Sequence, residues 1–213
     1  MQLIGLLGGT FNPIHNGHLR LAQELADALS FSEVRFIPSA NPPHKTAPEV
    51  SAQHRTAMVQ LAITDNALFK LDTRELDRAG ASYSIDTLIS LQEELGGSAA
   101  LCLIMGSDTF AKLNTWHRWQ ALIDYCHIIL VQRPASATQP KLAEELTVLL
   151  HNHYTENVSD LANENAGYIH MQKITALDIT ATNIREQLKA GHSPRYLMPD
   201  NVLEYIRNNK LYF

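Results

Sequence analysis

The run Gly8-Gly9-Thr10-Phe11-Asn12-Pro13-Ile14-His15-Asn16-Gly17-His18 gathers residue types suited to handling an anionic ligand. Two glycines let the backbone bend tightly and approach a ligand with no Cβ in the way. His15 and His18 stand at i and i+3, so across a helix start both imidazoles can project toward one side. Imidazole donates hydrogen bonds to phosphoryl oxygens, and its charge responds to a bound polyanion. A pair of rings that only caps and packs the turn is a second reading. A metal site is a third, weakened by having two ligands with no Cys or carboxylate partner nearby. The run is not the three-glycine dinucleotide fingerprint, and no Gly-Lys-Ser/Thr follows to make it a P-loop.

A second cluster lies at Asp178-Ile179-Thr180-Ala181-Thr182-Asn183-Ile184-Arg185. Thr180 or Thr182 would cap a helix and present a hydroxyl beside free N–H groups. Arg185 sits one turn in, where its planar fork could reach a phosphate. Gly106-Ser107-Asp108 is a third: the glycine permits close approach, and an acidic side chain suits ribose hydroxyls.

These groups need a scaffold, and the hydrophobic pattern supplies one. Gln2–Leu7 reads as a buried strand, and Ala22, Leu25, Ala26 and Leu29 mark one face of a helix starting near Gly17. Further strands are predicted at Val34–Ile37, Phe69–Thr73, Ala99–Met105, His127–Gln132 and Tyr168–Leu177. Helices are predicted at about 51–64, Ser84–Leu95, Trp119–Ile123, Lys141–Leu150, Thr180–Ala190 and Pro199–Asn209. Residues 38–48, with four prolines, read as a loop, and 151–166 as a polar segment. Strands alternating with helices imply βαβ units and a parallel sheet. The carboxyl edge of such a sheet is where ligands bind, and the helix after the first strand offers free N–H groups to an anion.

The 213 residues are 45% hydrophobic and 18% charged, with formal net charge −5 and ten histidines against seventeen Lys plus Arg. That composition excludes a disordered chain. No run approaches the ~20 apolar residues that span a bilayer, and residues 2–7 are too short for a signal-peptide core. Cys102 and Cys126, in apolar surroundings, fit a reducing compartment, so a cytoplasmic protein is expected. Mild acidity argues against a protein that coats nucleic acid. The oligomeric state is not legible. His151, His153, His170 and His192 read as ordinary surface residues.

GGTFNPIHNGH resembles the (H/T)xGH signature of the α/β nucleotidyltransferase superfamily, and Phe-Asn-Pro-x-His-x-Gly-His within it resembles the bacterial nicotinate-nucleotide adenylyltransferases. The run at 178–185 is similar to the superfamily's Ile-Ser-Ser/Thr-Thr-x-x-Ile-Arg signature, with Thr180 where Ser is common and Asn183 where an acidic residue is frequent. The resemblance covers nearly the whole chain. It implies a Rossmann-like, doubly wound, mainly parallel α/β sheet, and one domain over residues 1–213, the helices from about 180 packing on it. It further implies transfer of the adenylyl group of ATP to nicotinate mononucleotide, giving deamido-NAD and pyrophosphate.

For ATP it implies contacts from Gly8, Gly9, Thr10, Phe11, His18, Gly106, Asp108, Ile179, Thr182 and Arg185. His18, His15 and Arg185 would stabilise the reacting phosphates, and Mg²⁺ would arrive with ATP, with no metal site in the protein. For the mononucleotide it implies Asn12, His44, Lys45, Tyr83, Ser84, Trp116, His117 and Arg133. Ala-Ser-Tyr-Ser-Ile-Asp-Thr-Leu at 81–88 is similar to the family's Ser-Tyr-Thr-x-Asp-Thr segment, whose helix-start amides could hold a carboxylate. Trp116 would stack on the pyridinium ring, a cation–π arrangement. Nicotinamide mononucleotide and phosphopantetheine are the alternative acceptors, and a non-catalytic nucleotide sensor is the alternative of another class.

Overall fold

In the computed structural model, which describes residues 1–40, 48–78, 80–132, 141–175 and 177–213, strands and helices alternate as the hydrophobic pattern requires. The chain opens with β1 (Gln2–Gly9), α1 (Asn16–Leu29), β2 (Glu33–Pro38), α2 (Ala52–Ile63) and β3 (Phe69–Leu71). Next come α3 (Arg74–Asp77), α4 (Ser84–Leu95), β4 (Ala99–Gly106), α5 (Ser107–Phe110) and α6 (Leu122–Tyr125), with short 3-10 turns at Leu113–Thr115 and Trp119–Ala121. The last third holds β5 (His127–Gln132), α7 (Glu144–His153), β6 (Tyr154–Thr155), α8 (Val158–Asn163), β7 (Ile169–Lys173), α9 (Ala181–Lys189) and α10 (Asp200–Asn208).

Among the described residues the sheet has seven strands in the order β3-β2-β1-β4-β5-β7-β6, every pairing parallel. This is the expected doubly wound α/β fold. Successive side chains of a strand point to opposite faces, and the apolar residues divide accordingly. Ala100, Cys102 and Ile104 of β4 join a core cluster with α1, α2, α9 and α10. Ala99, Leu101, Leu103 and Met105 of the same strand join a second cluster with α4, α6 and α7. Strand order reverses between β1 and β4, so their carboxyl ends, Gly8-Gly9 and Gly106, flank the crevice where such sheets take ligands.

Two expectations need correction. The polar segment 151–166 carries β6 and α8, because Asn157 caps α8 by accepting from the Ser159 N–H (3.3 Å) and Leu161 is fully buried. His170 is 6% exposed and His153 half-buried, so neither is a surface residue; His151 and His192 are exposed. Cys102 and Cys126 are free and buried, and burial pushes both thiols up, Cys126 to about 12.

Candidate active site

His15 is the N-cap of α1, with extended φ and ψ, and its side chain is 6% exposed. The two imidazoles stack with centroids 3.8 Å apart and an interplanar angle of 29°. The main-chain N–H of His15 donates to His18 Nδ1 at 3.3 Å. With Nδ1 accepting, the neutral ring carries its proton on Nε2 and is therefore a donor at that end. Phe11, buried with φ +46, lies edge-on to His18 with ring centroids 5.1 Å apart. Gly17 leaves room for this stack: a Cβ there would lie 3.0 Å from His15 Nδ1, tight enough that the ring would have to shift. The first turn of α1 holds no acidic side chain, which leaves its N-terminal field open to an anion.

At the other end of the chain Thr180 caps α9, its hydroxyl accepting from the Asn183 N–H at 3.1 Å, as expected. Arg185 donates from Nη1 to the Asn12 carbonyl (2.8 Å) and from Nη2 to Thr182 Oγ1 (3.2 Å). Ile179 lies against Gly17, its Cβ 3.7 Å from where a Cβ would stand. The two sequence clusters thus border one cavity of about 250 Å³, with His15, Gly17 and His18 on one side and Ile179, Thr180 and Ala181 on the other. Gly106 closes β4 and Asp108 is exposed in the first turn of α5.

On the other face of the sheet a second group forms. Tyr83, the residue before α4, places its ring 4.4 Å from that of His117, and Trp116 is half-buried against the second core cluster. Ser84 is the first residue of α4. Asp86 stands in the same first turn, so an anion there would meet a like charge that the α1 start lacks. His44, Lys45 and Arg133 lie outside the described residues.

Three supporting residues escaped the sequence reading. Arg55 of α2 is 1% exposed and donates to the carbonyls of Thr10 (2.6 Å), Ser39 (2.7 Å) and Ala40 (3.4 Å). It ties together the loops leaving β1 and β2, and burial lowers its pKa. Its signal was available: Arg55, Met58 and Val59 share one helical stripe, so a cation sits among buried positions. Glu75 is buried and accepts from Thr87 Oγ1 (2.9 Å), beneath the start of α4; burial, first of all, raises its pKa. Tyr212 donates from its hydroxyl to Asn12 Oδ1 at 2.6 Å. Neither of the last two leaves a local pattern.

A family profile described as cytidylyltransferase-like matches residues 6–187. A protein of Aeromonas salmonicida named probable nicotinate-nucleotide adenylyltransferase is 47% identical over 209 residues, which is 98% of this chain and 96% of its own. One of the same name from Methylococcus capsulatus is 43% identical, covering 99% of each. Among solved structures, the Plasmodium falciparum nicotinic acid mononucleotide adenylyltransferase complexed with NaAD superposes with a TM-score of 0.72 at 16% identity, over 100% of this chain and 98% of that one. At that identity the likeness concerns the fold.

Proposed function

We infer the activity from kinship: the chain belongs to the cytidylyltransferase-like family and, within it, to the nicotinate-nucleotide adenylyltransferases. It is a nucleotidyltransferase that passes the adenylyl group of ATP to nicotinate mononucleotide, giving deamido-NAD and pyrophosphate in NAD biosynthesis. The observation that carries this reading is the cavity itself, bordered by both signatures from opposite ends of the chain. We read residues 1–213 as one domain, because α9 and α10 bury Ile184, Leu188, Val202, Leu203 and Ile206 in the same cluster as β1 and α1.

The reaction is attack of the mononucleotide's 5′-phosphate on the α-phosphorus of ATP, with pyrophosphate leaving. A phosphate monoester has its second pKa at about 6, so the attacking oxygen is already ionised near neutral pH and needs no general base. What remains is in-line positioning and neutralisation of the charge that develops. His18 serves first, through its Nε2–H; His15, stacked on it, and Arg185 add positive potential, and the amides at the start of α1 add dipoles. Gly8, Gly9, Thr10 and Phe11 offer main chain to the triphosphate. Gly106, Asp108, Ile179 and Thr182 complete the ATP half. Asn12, Tyr83, Ser84, Trp116 and His117 take the mononucleotide, the ring of the latter stacking on aromatic faces.

Among the described residues no group of three or more His, Cys, Asp and Glu is placed to hold a metal ion. The donors present are imidazoles, a guanidinium and amides, which suit phosphate oxygens. Mg²⁺, which keeps its waters and substrate phosphates as ligands, fits such a site as the ATP complex and would offset triphosphate charge. No helix among the described residues is long and apolar enough to cross a membrane.

The test is pyrophosphate release from ATP and Mg²⁺ with nicotinate mononucleotide, nicotinamide mononucleotide or phosphopantetheine supplied in turn. Release is expected with the nicotinate compound and well above that with the other two. Silence with all three overturns the enzyme; preference for another acceptor overturns the substrate.

A further inference from the structure

The Thr10–Asn12 turn is held from below by three side chains that come from three distant parts of the chain. Arg55 Nη1 donates to the Thr10 carbonyl at 2.6 Å, Arg185 Nη1 to the Asn12 carbonyl at 2.8 Å, and Tyr212 Oη to Asn12 Oδ1 at 2.6 Å. Two of these hold the main chain, and Tyr212 holds the Asn12 side chain. Tyr212 is 4% exposed, packed in the same apolar cluster as Ile14 and Met198, and its backbone adopts φ +68, a region that residues with a Cβ enter only when their surroundings impose it. The short segment after α10 is therefore folded inward, and it brings this hydroxyl to the turn against local backbone preference.

We propose that Tyr212 is a positioning residue for the mononucleotide half of the site, acting through Asn12, so that the segment after α10 is part of the active site. The inference rests on the adenylyltransferase reading above. Burial raises the pKa of Tyr212, with Arg185 and Arg55 pulling it partly back, so the hydroxyl stays a donor over the working pH range. A donor fixed on Oδ1 removes the rotation of the Asn12 side chain, and a loop whose side chain is fixed meets its substrate without first having to order it. The Arg185 and Arg55 bonds do not need Tyr212, so its loss would loosen the side chain and leave the turn in place.

Tyr212→Phe keeps the packed ring and removes only the O–H. With the folded state checked by circular dichroism, the KM for nicotinate mononucleotide is expected to rise about tenfold, the scale of one lost hydrogen bond, while the KM for ATP stays within about twofold. Asn12→Leu carries the same test without touching Tyr212 and is expected to match it. In the Asn12→Leu background, Tyr212→Phe should add less than about twofold, since the group it positions is gone. The proposal falls if Tyr212→Phe leaves the mononucleotide KM unchanged, if both KM values rise together, or if the two substitutions act additively. An unsubstituted protein that does not turn over nicotinate mononucleotide sinks the functional reading instead, and that control tells the two failures apart.

Discussion

At the carboxyl end of β1, His15 and His18 stack at 3.8 Å and border the cavity, whereas in the β5–β7–β6 half of the sheet three other histidines turn their rings onto main chain. His127, fully buried, donates from Nε2 to the Glu164 carbonyl (3.0 Å) and accepts at Nδ1 from the Tyr168 N–H (3.1 Å). His153 donates from Nδ1 to the Gly167 carbonyl (2.7 Å) and His170 from Nδ1 to the Thr155 carbonyl (3.0 Å). These rings pin the 154–168 connection to the sheet. The same residue type serves a ligand in one half and the backbone in the other. What separates the two uses is where the ring nitrogens are directed: His127 spends both on main-chain groups, and His153 and His170 each turn Nδ1 onto a carbonyl, away from the cavity.

The contrast can be broken from either side. His18→Ala is expected to lower kcat by on the order of a hundredfold or more with the melting temperature little changed, read by pyrophosphate release. Near-normal turnover would mean that the developing charge is neutralised elsewhere. Gly17→Ala pushes a methyl against His15, whose Nδ1 lies 3.0 Å from the position the Cβ would take, and should cost about tenfold in kcat by tilting the stack.

In the other half the expected signature is reversed. His127→Gln should lose roughly 2 kcal/mol of stability, about 4–8 °C in Tm, with activity per folded molecule unchanged. Burial lowers the pKa of His127 in the folded protein. The unfolded chain therefore binds the proton more readily, and the contribution is whole above the ordinary histidine pKa of about 6.5 and is lost as pH falls through the depressed folded value. Thermal melts from pH 7.5 downward should show this acid-side loss in the parent and a shallower one in His127→Gln; parallel curves would refute it. The smallest effect belongs to His153→Ala, half-buried with one main-chain bond, at about 1 kcal/mol or 2–4 °C. A drop in turnover there would mean that the two halves are coupled.

The −5 chain must attract two polyanions, and the positive potential it concentrates locally was only partly legible. His15, His18 and Arg185 announce themselves by spacing beside glycine or at a helix cap. Arg55 shows only as a cation on a buried stripe of α2 and not by its partners, which are carbonyls of Thr10, Ser39 and Ala40 in loops brought over α2 by the sheet. The Tyr83–His117 ring contact was legible as two separate motifs and not as a pair, since α4 and the turn at Leu113–Thr115 meet only once both pack on β4.

By itself the sequence determined the alternation of strands and helices, the glycine turn at the end of β1, the helix start that presents two imidazoles and a threonine cap for α9, with Thr180 and Thr182 both open to that role. All of these depend on residues within one or two turns of each other, where steric preference, capping and hydrophobic period act. Only the tertiary structure decided that both signatures would border one cavity, that Arg55 and Tyr212 would hold the turn between them, and that His127 and His170 would be spent on backbone. Those pairings join groups far apart in the chain, and their partners are mostly main-chain atoms, which every residue carries and which therefore leave no trace in residue type.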